Sequence, residues 1–128
     1  MNLILDTHIA LWAITDHPRL PQQARQWIES SRSHIWVSVA SLWEIAIKHS
    51  LGRGVMPVSA SEAKRYFEQA GYFLLPIEAE HAVAVAELPP IHQDPFDRIL
   101  VAQALTEPLK LLTHDATVAK YSPTILLV

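Results

Sequence analysis

Asp6, Glu44, Asp94, Asp97 and Asp115 stand among apolar or strand-terminal neighbours, where an ionised carboxylate is costly unless its charge is compensated. The other eight of the thirteen acids, Asp16, Glu29, Glu62, Glu68, Glu78, Glu80, Glu87 and Glu107, fall on solvated helix faces or in turns. Carboxylates drawn together from distant segments raise each other's pKa values, and a bound cation reverses that penalty. An all-oxygen donor set suits Mg²⁺, which takes carboxylates plus retained water and has no need of Cys or His. Such an ion can orient a phosphodiester, offset its charge and activate a water molecule. The chemistry these residues could do is therefore metal-assisted phosphoester hydrolysis.

Each acid also has a local explanation. Asp6 and Asp115 precede helical stretches and can cap them by accepting first-turn N–H groups. Ser41-Leu42-Trp43-Glu44 matches the S-x-x-E capping box, although Leu42, Trp43, Ile45, Ala46 and Ile47 surround the Glu44 carboxylate with apolar side chains. Asp94-Pro95-Phe96-Asp97 reads as an N-cap, a proline at N1 and an acid at N3. Taken singly, the acids are explained as well by capping as by catalysis. Capping does not require them to converge, whereas a cation site does.

Strands alternating with helices must bring them together. Asn2–Leu5, His34–Val37, Tyr72–Leu75, Leu109–Thr113 and Thr124–Leu127 read as five strands. Helices are expected over Thr7–Ile14, Pro21–Ser30 and Val39–Leu51, and from a Ser59 or Ser61 cap to Ala70 with Gly71 as the stop. Three more are expected over Glu78–Leu88, Pro95–Thr106 and Ala116–Tyr121. Most of the strands are continuous apolar runs, which indicates an α/β fold with a mostly parallel sheet covered on both faces. In such sheets ligands bind beyond the carboxyl ends of the strands, where strand order reverses. Asp6 directly follows the first strand and Asp115 comes two residues after Thr113, so both are expected at that edge.

The bulk properties narrow the classes. A chain of 128 residues, half of them hydrophobic, can fill one core, and residues 1–128 are expected to form a single domain. The absence of cysteine excludes disulfides and thiolate metal sites and suits a cytoplasmic protein. The N-terminus lacks the basic region and long apolar run of a signal peptide, and no stretch approaches the roughly 18 apolar residues of a membrane span. The three glycines, Gly52, Gly54 and Gly71, do not have the spacing of a phosphate-binding Walker loop or a dinucleotide loop. The net charge of −3 runs against a protein that coats nucleic acid, a mismatch that bound divalent ions would offset.

The chain resembles the PIN-domain family, specifically the VapC-like toxins of bacterial toxin–antitoxin pairs. Four stretches carry the resemblance, in the family's order: Leu3-Ile4-Leu5-Asp6-Thr7-His8, then Ser38 through Lys48, then Asp94 through Ala104, and Leu111-Leu112-Thr113-His114-Asp115. Together they run from residue 3 to residue 115. The resemblance implies a three-layer α/β/α sandwich around a central, mostly parallel five-stranded sheet. It matches Asp6, Glu44, Asp97 and Asp115 to the family's four catalytic, metal-binding acids. Asp97 is preferred to Asp94 because it starts the acid-x-apolar-apolar-x-Ala pattern running into Ala102, which leaves Asp94 as an accessory acid or the cap. Thr7 and Thr113 resemble the hydroxyl residues that hold carboxylates or metal-bound water. The implied activity is a Mg²⁺- or Mn²⁺-dependent endoribonuclease, neutralised by a cognate antitoxin lying in a groove of the toxin. Homodimerisation is implied by the family alone.

Lys48, His49 and Arg53, at or after the end of the Glu44 helix, and Arg98 beside Asp97 can meet RNA phosphates, or can be ordinary solvated helix ends. His8 and His114 flank the acids, and the seven histidines contain no H-E-x-x-H pair. Trp12, Trp27, Trp36 and Trp43 sit at core-like spacing, with Trp12 and Trp27 as possible lining of a partner groove. Two rival functions remain: a PIN-fold binding module without catalysis, and another phosphohydrolase with Asp6 as nucleophile. Haloacid-type phosphatases need an acid two residues after that nucleophile, where this chain has His8.

Overall fold

The computed structural model describes residues 1–52 and 56–128. Its elements run β1 (Asn2–Leu5), α1 (Thr7–Ile14), α2 (Gln22–Glu29), β2 (His34–Ser38), α3 (Val39–Ser50), α4 (Ala60–Gln69) and β3 (Phe73–Leu75). They continue with α5 (Ala79–Val85), α6 (Pro95–Thr106), β4 (Lys110–Thr113), α7 (Ala116–Ala119) and β5 (Leu126–Leu127). The strands lie in the order β3-β2-β1-β4-β5, and every pairing between them is parallel. The expected mostly parallel five-stranded sheet is present and is parallel throughout, the α/β type with crossover helices on both faces.

Side-chain alternation along the strands divides the core into two layers. Leu3 and Leu5 of β1, Ile35 and Val37 of β2 and Leu112 of β4 pack with Ile9, Leu11, Ile45 and Phe67 from the helices on one face. Ile4 of β1 and Leu111 of β4 pack with Leu100, Val101, Ala104 and Val118 on the other. The result is a three-layer sandwich, with α1–α4 on one side and α5–α7 on the other. Leu3, Ile4, Leu5, Leu111 and Leu112 are all fully buried. Each such side chain contributes about 1.5–3 kcal/mol, so the two central strands anchor whatever follows them.

Helix starts are chemically defined. Ser59 caps α4 in a reciprocal capping box with Glu62, which settles the choice between Ser59 and Ser61. Ser38 caps α3, so Ser41 is an interior residue and the S-x-x-E reading of Glu44 does not hold. Gly71, at φ +82°, provides the left-handed turn that ends the α4 segment. Observed elements are shorter than expected mainly toward the carboxyl half: α5 stops at Val85, α7 at Ala119, and β5 keeps two residues. Trp12 and Trp27 pack against one core cluster and Trp36 against the other, as expected. Trp43 does not; it is 58% exposed and meets Phe96 edge-on at 5.2 Å. It stands beside Glu44 on α3, and a helix that turns Glu44 and Ile45 inward cannot also bury the residue before them.

Candidate active site

Strand order reverses between β1 and β4, because the chain builds β2 and β3 on one side of β1 and then crosses over to β4 on the other. The crevice expected of such a reversal opens beyond the carboxyl ends of β1 and β4. Asp6 leaves β1 there with its N–H still donating to Leu112 O at 3.0 Å. Its carboxylate caps α1 through Oδ1, which accepts from the Ile9 N–H at 2.9 Å. Oδ2 accepts from the Thr113 hydroxyl at 2.5 Å. The same Thr113 oxygen accepts the Asp115 N–H at 3.0 Å, so one buried hydroxyl ties the acid after β1 to the acid after β4.

A second hydroxyl ties in α3. Thr7 Oγ1 donates to Glu44 Oε1 at 2.6 Å and lies 2.9 Å from Ser41 Oγ. Glu44 is 5% exposed, and its other oxygen accepts from Lys48 Nζ at 2.5 Å, one helical turn on. Asp94 caps α6, accepting from the Phe96 and Asp97 N–H groups at 2.8 and 3.1 Å. Asp97, on the first turn of α6, accepts no hydrogen bond among the described residues. Asp115 caps α7 through Oδ1, which accepts from the Thr117 and Val118 N–H groups. Capping and convergence therefore coincide: Asp6, Asp94 and Asp115 each hold a helix start while the same turns gather the acids.

The electrostatics show a cluster short of positive charge. Burial pushes the Asp6 carboxyl above its ordinary range despite the Thr113 and Ile9 hydrogen bonds. Asp97 is pushed up to about 7, by burial first and then by Asp94; His92 opposes the rise, and Asp6 and Glu44 add to it. Burial acts to lower the Lys48 pKa, but its bond to Glu44 and the field of Asp94 and Asp97 raise it. For Asp115, burial is outweighed by the Thr117, Val118 and His92 contacts, and the carboxyl lies below its usual value. Asp6, Glu44, Asp94 and Asp97 thus act on one another's charge, with Lys48 among them. Hard oxygen donors, partly buried and with Asp6 and Asp97 pushed toward the neutral form, are the donor set that a divalent cation such as Mg²⁺ or Mn²⁺ fits.

Of the cationic residues considered from sequence, Lys48 lies in this cluster. Arg98 is otherwise engaged: its guanidinium donates to Tyr121 Oη at 3.0 Å and to the carbonyls of Val85 (3.0 Å), Pro89 (3.1 Å), His92 (3.3 Å) and Leu88 (3.5 Å). That makes it a clamp on the loop before α6. Arg53 lies outside the described residues. His8 is exposed two residues after Asp6; His114 precedes Asp115 and is held by Val128 O at 2.5 Å. His92 was not singled out in the sequence, yet its Nε2 lies 3.4 Å from both Asp97 Oδ2 and Asp115 Oδ2. The available signal was its place two residues before the Asp94 cap. Ser41 was missed as a partner of Thr7, although it precedes Glu44 by three residues and so shares its face.

The family described as PIN domain matches residues 3–122. No curated protein matches the sequence. Among solved structures, VapBC2 from Rickettsia felis bound to a promoter DNA fragment contains a chain of 18% identity and TM-score 0.70, with 100% of this chain and 98% of that one covered. A toxin–antitoxin complex from Klebsiella pneumoniae gives 16% identity and TM-score 0.67, with 97% and 95% covered. DNA-bound VapBC from Salmonella typhimurium gives 16% and 0.66, with 100% and 97% covered. At these identities the likeness is one of fold.

Proposed function

The chain belongs to the PIN domain family of nucleases, and from that premise we propose that it is a Mg²⁺-dependent endoribonuclease, the toxin of a type II toxin–antitoxin pair. The observation that carries this reading is the cluster at the β1/β4 reversal, with Asp97 held near neutrality by burial and by Asp94. Asp6, Glu44, Asp97 and Asp115 would hold the ion, with Mn²⁺ as an alternative to Mg²⁺. A bound divalent ion supplies Lewis acidity toward phosphate and water and offsets the charge of the phosphodiester. The residues of the chain do the rest. Thr113 and Thr7 fix Asp6 and Glu44 by donating to them, and Asp94 is an accessory acid that keeps Asp97 poised to ionise when the ion arrives. Lys48, which holds Glu44 from the open side of α3, is the cation nearest to hand for a phosphate oxygen. All-oxygen coordination with water retained, rather than a zinc-type site, is what this donor set favours.

The partners follow from two surfaces. A groove of about 670 Å³ along α1 is lined by His8, Leu11, Trp12, His17 and Arg19, and an antitoxin segment lying there would reach His8, two residues after Asp6. The matched toxin–antitoxin complexes support such a partner. A second, apolar groove between α3, α5 and α6, with Trp43, Ile77, Val85, Phe96 and Ile99 in its walls, is where a homodimer would form. No helix among the described residues is long and apolar enough to cross a membrane, and the chain is taken to act as one domain in the cytoplasm.

The test is cleavage of total RNA with Mg²⁺, with EDTA, and with Asp6→Asn or Asp97→Asn in place of the native chain, the fold being followed by circular dichroism. Cleavage that needs the ion and disappears in both variants is expected. Undiminished cleavage by both variants, or by the native chain in EDTA, would sink the proposal. A native chain that binds ions but cuts no RNA would instead be the binding module.

A further inference from the structure

We propose that His92 is a positioning residue whose Nε2–H holds the Asp97 and Asp115 carboxylates toward a common ion, and that His92 is not itself a ligand of that ion. The inference rests on the cation-dependent reading above. Its ground is the number of contacts that fix this one residue. The His92 N–H donates to Tyr121 Oη at 2.8 Å, and its carbonyl accepts from Tyr121 Oη at 3.2 Å and from Arg98 at 3.3 Å. Tyr121 Oη in turn accepts from Arg98 at 3.0 Å. The backbone is thus pinned by α6 and by the residue two past the end of α7.

The ring is pinned as well. Nδ1 accepts the Asp94 N–H at 3.0 Å. An imidazole nitrogen that accepts carries no hydrogen, so the neutral ring carries its hydrogen on Nε2. Nε2 lies 3.4 Å from Asp97 Oδ2 and 3.4 Å from Asp115 Oδ2, so a hydrogen there stands between the two carboxylates, close enough to draw both toward it once they ionise around an ion. A nitrogen that ligates an ion must offer a lone pair, and at Nε2 that place is taken by hydrogen. Moving the hydrogen to Nδ1 would set it against the Asp94 N–H and disturb the turn that caps α6. His92, Asp97 and Asp115 can bring one atom each within 4.8 Å, which resembles a three-ligand set. The hydrogen-bond pattern makes it two ligands and the donor that orients them, the arrangement by which outer groups tune metal sites.

Long-range ¹H–¹⁵N spectra of the full chain, in EDTA and then at saturating Mg²⁺, report the tautomer directly. Hydrogen on Nε2 in both states is expected; hydrogen on Nδ1 with an ion-shifted Nε2 would overturn the inference. In parallel, Mn²⁺ affinity by calorimetry and RNA cleavage are measured for His92→Ala and His92→Gln. His92→Ala should lose about ten- to hundredfold in both. His92→Gln, which still offers a side-chain N–H, should recover most of that loss. Equal losses in the two variants would refute positioning by an N–H donor while leaving the nuclease reading intact. A native chain that takes up neither Mg²⁺ nor Mn²⁺ brings down that reading, and this inference with it.

Discussion

Two buried polar clusters lie at different places in this molecule, and they are built on opposite principles. Between α5 and α6, His81 is fully buried with each ring nitrogen matched: Nδ1 accepts the Glu78 N–H at 2.9 Å, and Nε2 meets Glu107 Oε2 at 2.6 Å. One carboxylate faces one N–H donor there, and the cluster simply joins helices. At the β1/β4 edge, Asp6, Glu44, Asp94, Asp97 and Asp115 share two hydroxyls, one lysine, one histidine and the N–H groups of helix starts. A matched cluster is finished by folding, whereas one with surplus negative charge is finished only by a cation.

That contrast can be broken most forcefully at Asp97. Asp97→Asn should abolish the rise in melting temperature caused by Mg²⁺ and lower RNA cleavage by more than the roughly hundredfold that loss of an outer partner costs. In EDTA the same variant should melt no lower than the native chain, because it removes a strained negative charge. A marked loss of metal-free stability would refute the surplus-charge reading. Next in size is His81→Ala, which leaves the Glu78 N–H and Glu107 without a partner and opens a cavity. A loss of about 2–4 kcal/mol in urea unfolding is expected, equal with and without Mg²⁺.

Acid and base then separate the clusters more finely. In the folded chain Asp97 is raised from 3.8 to about 7, so between those values the native state holds a proton that the unfolded chain has released. Stability without metal should therefore fall as pH rises across that window, by roughly 2 kcal/mol in total after allowance for partial exposure, and level off above it. Urea midpoints in EDTA from pH 4 to 8 measure this, and Asp97→Asn should flatten the slope. The smallest effect is expected from Thr113→Val. It removes the donor to Asp6 and the acceptor of the Asp115 N–H, at about 1 kcal/mol by thermal melting.

Much of this was legible in the sequence because the acids lie at element ends with strong local signals. Apolar runs gave β1 and β4, and Asp6, Asp94 and Asp115 marked the helix starts that follow a strand or precede a proline. Capping and convergence are not rivals, because one carboxylate oxygen can hold an N–H while the other is directed elsewhere: Asp115 caps α7 through Oδ1 while its Oδ2 lies 3.4 Å from His92 Nε2. Glu44 misled differently, since its apparent capping box dissolves once Ser38 is seen to be the cap. What stayed hidden were contacts set by tertiary packing. Nothing in the spacing says that Arg98 closes on five acceptors, that His92 turns Nε2 toward two acids from different elements, or that Trp43 faces outward.

The hydrogen bond from Thr113 to Asp6 joins residues 107 apart in the chain. Asp6 leaves the ribosome early in synthesis, while Thr113 and Asp115 follow only near the end, and β4 must then dock beside β1, already paired with β2. Closing so long a loop is slow relative to local helix formation. We expect a nascent chain to stay harmless until that last docking, so that cutting power arrives in one late step. Arrested chains ending at residue 106, assayed on the ribosome, should show no RNA cleavage, and activity there would overturn this expectation. The acidic site would then be completed by the order of assembly, as the last strand to join β1 brings Thr113 and Asp115 to Asp6.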